Sequence, residues 1–196
     1  MTQKEQKQKL LEKLYVPYKK HKDCPLGPLC KSTAVFGEGN ANAKLMFIGE
    51  APGAKEEELG RPFVGRSGKL LDKILAAYDT NREDVYITNI VKCRPPKNRT
   101  PTKKEINACK DLLHNQIKII KPKVMCTLGA SALEGLTGKP VKITKVRGIP
   151  TKHKDVILLP AYHPAYILRN PKQLEFLMAD IREAIELSKK QQLKHN

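Results

Sequence analysis

LMFIGEAPGAKEEELGRPFVGRSGKLL, residues 45–71, is the stretch that decides the fold. An apolar run, Leu45 to Ile48, stops abruptly at Gly49-Glu50-Ala51-Pro52-Gly53, and a glycine-punctuated loop carrying Phe63 follows before a helix begins near Ser67. This is how a site is built at a strand tip of a parallel sheet: the strand delivers a carboxylate at its C-terminal end, and the glycines let backbone N–H groups approach a ligand closely.

Three further apolar runs, Val85 to Ile90, Val124 to Leu128 and Val156 to Leu159, share the density of β-branched and large aliphatic residues expected of buried strands. Helical patterns lie between them. Leu70, Leu71, Ile74, Leu75 and Tyr78 fall on one face; Ile106, Cys109, Leu112, Leu113, Gln116, Ile117 and Ile120 trace another, opened by a Thr102-x-x-Glu105 capping box after Pro101. A shorter helix should follow Gly129, and Leu174, Leu177, Met178, Ile181 and Ile185 mark a closing helix from Pro171, with a polar, frayed tail over 189–196. Residues 3 to 15 read as a basic amphipathic helix with Leu10, Leu11, Leu14 and Tyr15 on its apolar side, ending before Pro17; the whole segment 1–23 is expected to pack on the body. Strands alternating with helices give an α/β fold, a mostly parallel sheet covered on both faces, and 196 residues fit one domain, 1–196.

Thirty-seven Lys and Arg against 20 Asp and Glu leave a formal charge of +17, spread along the chain. That points to a polyanionic partner, because a thermophile-type lysine surface usually balances Lys with Glu. No run approaches the roughly 18 apolar residues that span a bilayer, and residues 1–9 are unlike an export signal, so a cytoplasmic protein with no membrane partner is expected. Cys24, Cys30, Cys93, Cys109 and Cys126 are an odd number without such a signal, which argues against a disulfide framework.

Ligands of open α/β sheets bind outside the carboxyl ends of the strands. There stand Glu50, Asn89, Gly129 and His163, so a carboxylate, an amide and an imidazole share one crevice with the Phe63 loop. A Walker A loop is excluded, since Phe63 stands five places before Gly68 where a glycine is needed. Gly37-Glu38-Gly39 precedes its strand instead of following one, so a dinucleotide fingerprint fails as well. Cys24 and Cys30 sit in a Pro/Gly loop, Cys93 just beyond the second strand and Cys109 in the next helix; these four can converge on a metal or cluster, whereas Cys126 lies inside a strand. Spacing alone leaves zinc and iron–sulfur both open.

FGEGN at Phe36, GEAPG at Gly49, GRPFVGRSG at Gly60, YITNIVKCRPP at Tyr86, the Cys93 to Cys109 spacing, ITKVRG at Ile143 and HPAYILRNP at His163 together resemble the family 4 uracil-DNA glycosylases of thermophiles, in order from about Cys24 to Met178. The resemblance implies a three-layer αβα domain with a four-stranded parallel sheet, and a [4Fe-4S] cluster on Cys24, Cys30, Cys93 and Cys109. The family's first two cysteines are commonly separated by two residues; here five intervene, so the cluster loop must differ. It also implies a monomeric repair enzyme acting on uracil-containing DNA, single- or double-stranded, with a sliding clamp as a candidate partner.

Breaking the C1'–N1 bond requires the nucleotide to leave the stack and a pocket to receive it. Under the resemblance Phe63 stacks on the flipped uracil, and Asn89 donates to O4 and accepts from N3–H, a pattern that cytosine reverses. His163 hydrogen-bonds O2, Glu50 positions or activates the water, the backbone around Gly49 and Ala51 helps hold the base, and Glu56 excludes the thymine methyl. Tyr166, Ile167 and Leu168, with Arg169, form a candidate wedge into the duplex. Arg66, Lys69, Lys92, Arg94, Arg147 and Arg169 are candidate phosphate contacts, and Ser67 joins them on the DNA side. A non-catalytic nucleic-acid-binding module would explain the charge and cysteines but leaves Glu50, Asn89 and His163 idle. A related protein that traps uracil-DNA covalently carries a histidine-containing insertion after the second strand; RPPKNRTP instead runs straight into the helix, and no histidine occurs between Asp23 and Asn107.

Overall fold

The computed structural model describes residues 1–19, 24–30 and 33–190. Among these, the central strands β2 (Leu45–Gly49), β3 (Tyr86–Asn89), β4 (Val124–Leu128) and β6 (Val156–Ala161) are the four apolar runs of the sequence. They lie side by side, all parallel, in the order β3-β2-β4-β6. Two short antiparallel strands, β1 (Glu38–Gly39) against β3 and β5 (Thr151–His153) against β6, extend the sheet to six strands instead of four.

Strand alternation sends neighbouring side chains to opposite faces and so demands cover on both. Met46 and Ile48 of β2 join Met125 of β4 beneath α1 (Gln3–Tyr18), α4 (Lys103–Ile120) and α5 (Ala130–Thr137), whose Leu11, Leu113, Ile120 and Leu133 fill that face. Leu45 and Phe47 point the other way, with Cys126 and Leu159, toward α3 (Arg66–Ala76), the one-turn α6 (Ile143–Val146), α7 (Pro164–Arg169) and α8 (Leu174–Lys190), which contribute Leu71, Ile74, Ile143, Ile167, Leu177 and Ile181. The three layers are therefore helix, sheet, helix.

The capping box opens α4 as expected: Thr102 accepts from Glu105 N–H, and the Glu105 carboxylate accepts from Thr102 N–H at 2.7 Å. The basic N-terminal helix α1 runs three residues beyond the expected Tyr15, with Pro17 exposed in its last turn. Only Leu11 of its expected apolar side is fully buried, and Leu10 faces solvent. Lys7 docks α1 on the body by donating to the Ile120 carbonyl at 2.7 Å, placing a cation on the free carbonyls that end α4. The frayed tail read from residue 189 lies, from 191 onward, outside the described residues, as do residues 20–23 of the N-terminal segment; Lys189 and Lys190 still belong to α8.

Two elements differ from the sequence reading. Ala54–Leu59 is not a loop but a short helix, α2, ended by Gly60 in the left-handed conformation. The closing strand also runs two residues past Leu159, to Ala161, which brings its tip level with Leu128 of β4.

Candidate active site

Parallel registration aligns the strand tips: Gly49 pairs with Asn89, and Leu128 with Ala161. Above this edge opens a cleft of about 480 Å³. Glu50, Ala51, Glu56, Phe63, Ser67, Asn89, His163, Tyr166 and Arg169 line it, drawn from four separate segments of chain. Gly49 is buried behind cleft-lining Asn89 and Phe63, where a side chain has no room: a Cβ there would stand 2.4 Å from Asn89 Oδ1 and 2.5 Å from Phe63 Cζ.

Asn89 is 1 % exposed, and neither its Oδ1 nor its Nδ2 has a hydrogen-bond partner. Leaving a buried amide unmet costs about 1–3 kcal/mol, and at the end of a strand such an amide can pair with a ligand that brings both an acceptor and a donor.

Phe63 holds a left-handed backbone at φ 51°, which costs a non-glycine residue about 1–2 kcal/mol. Its neighbours impose that shape from two sides. Glu56 Oε1 accepts from the N–H groups of Val64 and Gly65 at 2.9 and 2.7 Å, while Arg82 donates to the carbonyls of Pro62 and Phe63 at 2.7 and 3.0 Å. Gly68 completes the arrangement, since a Cβ would fall 1.8 Å from the Phe63 carbonyl oxygen. The ring that results lies across the cleft from His163, centroids 5.8 Å apart and planes inclined by 33°.

His163 caps the first turn of α7, its Nδ1 accepting from Ala165 N–H at 3.0 Å. A nitrogen that accepts from a backbone amide carries no proton, so the neutral ring bears its hydrogen on Nε2. Burial pushes its pKa down to about 4, helped by the charge of Arg169 and opposed by Glu56. Because the folded value lies below the ordinary 6.5, the unfolded chain binds more protons between these limits. The contribution is complete above about pH 6.5 and falls away as pH drops toward 4, by on the order of 2–3 kcal/mol. The urea midpoint of the parent protein should therefore fall as pH drops from 7 to 4, and His163→Gln should lessen that fall; parallel dependences would refute it.

Several expected DNA contacts are placed elsewhere. Lys92 is fully buried and donates to three internal oxygens, so it cannot reach a phosphate. Arg147 is bound by the buried Asp180 carboxylate and packs over Phe176. Ile167 is buried in the core beneath α7 and is no wedge; Leu168 and Arg169 after it are exposed. Arg94 is turned toward Asn98 and Glu57. Arg66 and Lys69 are exposed on the first turn of α3, on either side of cleft-lining Ser67. Glu56 sits on α2 and lines the cleft from there, its carboxylate engaged by the loop it supports. Sequence reading missed the wall formed by Pro95, Asn98, Arg99 and Thr100. Its available signal was Arg99 ahead of the capping box: the guanidinium holds Glu105 by two bonds, of 2.6 and 2.9 Å, and keeps that carboxyl down at about 2.

Beneath β3 the thiols of Cys24, Cys30, Cys93 and Cys109 come together. Cys93 hydrogen-bonds with Cys30 and Cys109 with Cys24, and Cys93 feels the charge of all three others. These contacts, with burial, push both thiols up, while the Lys92 backbone amide favours the Cys109 thiolate. Among the described residues no three His, Cys, Asp or Glu side chains already stand at metal-bonding positions, and the cysteines are free of disulfides. Three buried thiols and the half-buried Cys30, in contact as two hydrogen-bonded pairs, are nonetheless the kind of donor set that soft metals and iron–sulfur clusters take.

The uracil DNA glycosylase superfamily model matches residues 36–186, which include every strand of the sheet and every cleft residue. The chain belongs to that superfamily. It is 46% identical over 191 residues to the type-4 uracil-DNA glycosylase of Thermotoga maritima, covering 94% of this chain and 98% of that protein. The type-4 uracil-DNA glycosylase of Sulfurisphaera tokodaii is 43% identical, over 91% of this chain and 84% of its own. A type-5 uracil-DNA glycosylase of Pyrobaculum aerophilum is more distant, at 32% identity over 69% of this chain and 67% of its own. Within the superfamily fold the cleft occupies the carboxyl edge of the parallel strands, and the cysteines lie on the same side of the molecule as the exit from β3. No helix among the described residues is long and apolar enough to cross a membrane.

Proposed function

We propose that the protein is a DNA repair glycosylase that receives a flipped uracil in this cleft and hydrolyses its C1'–N1 bond, leaving an abasic site. The unmet amide of Asn89 carries the reading. Uracil presents an acceptor at O4 beside a donor at N3, which satisfies Nδ2–H and Oδ1 together; cytosine presents the opposite pair and leaves both atoms buried and unmet. Phe63 stacks on the base. His163 Nε2–H donates to O2, where negative charge grows as the bond breaks, and a neutral ring is the form present at working pH.

Glu50 positions a water against C1' and accepts its proton as the water oxygen bonds to carbon. The electron pair of the C1'–N1 bond leaves with uracil, whose anion the hydrogen bonds at O2 and O4 stabilise. Backbone around Gly49 and Ala51 supports the base, and Glu56, fixed by the Phe63 loop, excludes the thymine methyl. Arg66, Ser67, Lys69 and Arg169 meet the DNA backbone around the cleft, with Tyr166 and Leu168 nearer the opened strand. We assign a [4Fe-4S] cluster to Cys24, Cys30, Cys93 and Cys109, where it pins the N-terminal loop to the exit of β3. The protein works as a monomer, and a sliding clamp is a candidate partner.

A uracil-containing oligonucleotide, incubated with the protein and then with alkali, should break at the uracil, while the cytosine counterpart stays intact. Native protein should be brown, with broad absorption near roughly 400 nm from iron–sulfur thiolates. Well-folded, metal-loaded protein that forms no abasic site would end the glycosylase reading, and a colourless zinc-loaded preparation would end the cluster assignment.

A further inference from the structure

Lys92 is a buried cation that the proposed chemistry does not use. It is 0 % exposed, and its ammonium donates to Thr88 Oγ1 at 2.6 Å, the Asn89 carbonyl at 2.8 Å and Gln116 Oε1 at 2.8 Å, so all three of its protons are directed. None of these acceptors is a carboxylate. Taking an ammonium out of water costs several kcal/mol, and an apolar side chain of similar volume would fill the same space without that cost. What an apolar residue could not do is hold the Asn89 carbonyl.

That carbonyl matters because of what the side chain of Asn89 lacks. With no partner for Oδ1 or Nδ2, no hydrogen bond at the amide fixes where it points, and beyond its packing against Gly49 its orientation is inherited from its own main chain. On one side that main chain is paired with β2, Ile90 N–H donating to the Gly49 carbonyl at 2.9 Å. On the other it is held by Lys92. The ammonium in turn sits in a closed frame: Thr88 Oγ1 donates to the Phe36 carbonyl at 2.8 Å, and Gln116 Nε2 reaches the same carbonyl at 2.8 Å and the Tyr86 hydroxyl at 3.3 Å. At its other end the residue belongs to the cysteine centre, preceding Cys93 in the chain and donating its backbone N–H to Cys109.

We infer that Lys92 is a positioning residue that ties the base-reading amide of Asn89 to the four-cysteine centre, so that whatever orders the thiols also sets the register of the uracil pocket. The inference rests on the proposed role of Asn89. It assigns the metal centre a second consequence beyond pinning the N-terminal loop: a rigid footing for recognition.

The test is Lys92→Met in the full-length, metal-loaded protein, read by metal content per chain, inhibition by free uracil, single-turnover excision at saturating DNA, and affinity for undamaged DNA. Metal content and DNA affinity should stay at parental values, while uracil inhibition weakens and the single-turnover rate falls, each by about tenfold or more. Unchanged uracil inhibition and rate overturn the inference, and so does loss of metal with uracil inhibition intact, because Lys92 would then serve the centre alone. If the substitution disturbs folding, or removes metal and uracil binding together, Gln116→Leu decides: it leaves Lys92 and all four cysteines in place but strips one acceptor from the frame. It should show the same pattern at about threefold, and parental behaviour there overturns the inference. The parent protein assayed alongside separates the two readings, since only its own failure to excise uracil counts against the glycosylase assignment.

Discussion

Asn89→Ala should slow uracil excision by about 10²–10³-fold, the range observed when one preorganised hydrogen-bonding group is removed from a reacting centre. The loss should appear in the single-turnover rate and in inhibition by free uracil, with affinity for undamaged DNA kept, because the amide is buried in the cleft and in its proposed role would meet the base alone. The same substitution should leave the fold no weaker. Two unmet polar atoms are removed, and against the small void left behind a gain of about 1 kcal/mol, or a rise in Tm of about 2–4 °C, is expected. Calorimetry and the excision assay on one preparation measure both. A variant that loses stability in step with activity would show that the amide is held by the protein and not kept for a ligand.

Gly49→Ala should be as damaging to activity and, unlike Asn89→Ala, also destabilising. The added methyl stands 2.4 Å from Asn89 Oδ1 and 2.5 Å from Phe63 Cζ, inside any tolerable contact, so the amide and the ring must both move. Overpacking of this kind costs about 1–3 kcal/mol. A displacement near 1 Å in a positioning group can cost about 10²-fold in rate, and here two groups are displaced together. Excision measured beside urea unfolding checks the pair of effects; parental activity would mean that Asn89 and Phe63 are not the surfaces the base meets.

The difference between these two substitutions shows what could be read from the chain alone. The four central strands were legible because each is a short apolar run buried on both faces, and the polar residues at their tips followed from the parallel arrangement. The edge strands Glu38–Gly39 and Thr151–His153 were not, since they are short and lack an apolar signature. Nor was α2, where AKEEEL between glycines reads as loop until its Glu56 is seen capping the Phe63 turn. Charge was the least reliable guide. Lys92 and Arg147 look like surface cations in a sequence of +17, and only tertiary acceptors, Gln116 from one helix and Asp180 from another, reveal that Lys92 is internal and Arg147 tied down at a half-buried site. Ile167 failed for the complementary reason, its apolar side chain serving the core of the molecule and not the DNA. The cysteines occupy an intermediate place: the four that meet were identified from loop and helix positions, but their pairing across the chain, Cys30 with Cys93 and Cys24 with Cys109, is a property of the fold.

The left-handed turn at Phe63 has one more consequence. Its backbone is fixed by Arg82 on one side and by Glu56 on the other before any nucleotide arrives, so on the proposed reading an entering base would meet a rigid slot and need not organise a flexible one. Little entropy is then lost within the protein on capture, and discrimination falls on the energetics of the base alone: how readily it leaves the helix, and whether it fits a cavity that does not yield. On the proposed reading, a slot of this kind would accept a base that fits and release one that does not, which is a sieve's manner of working and not a clamp's.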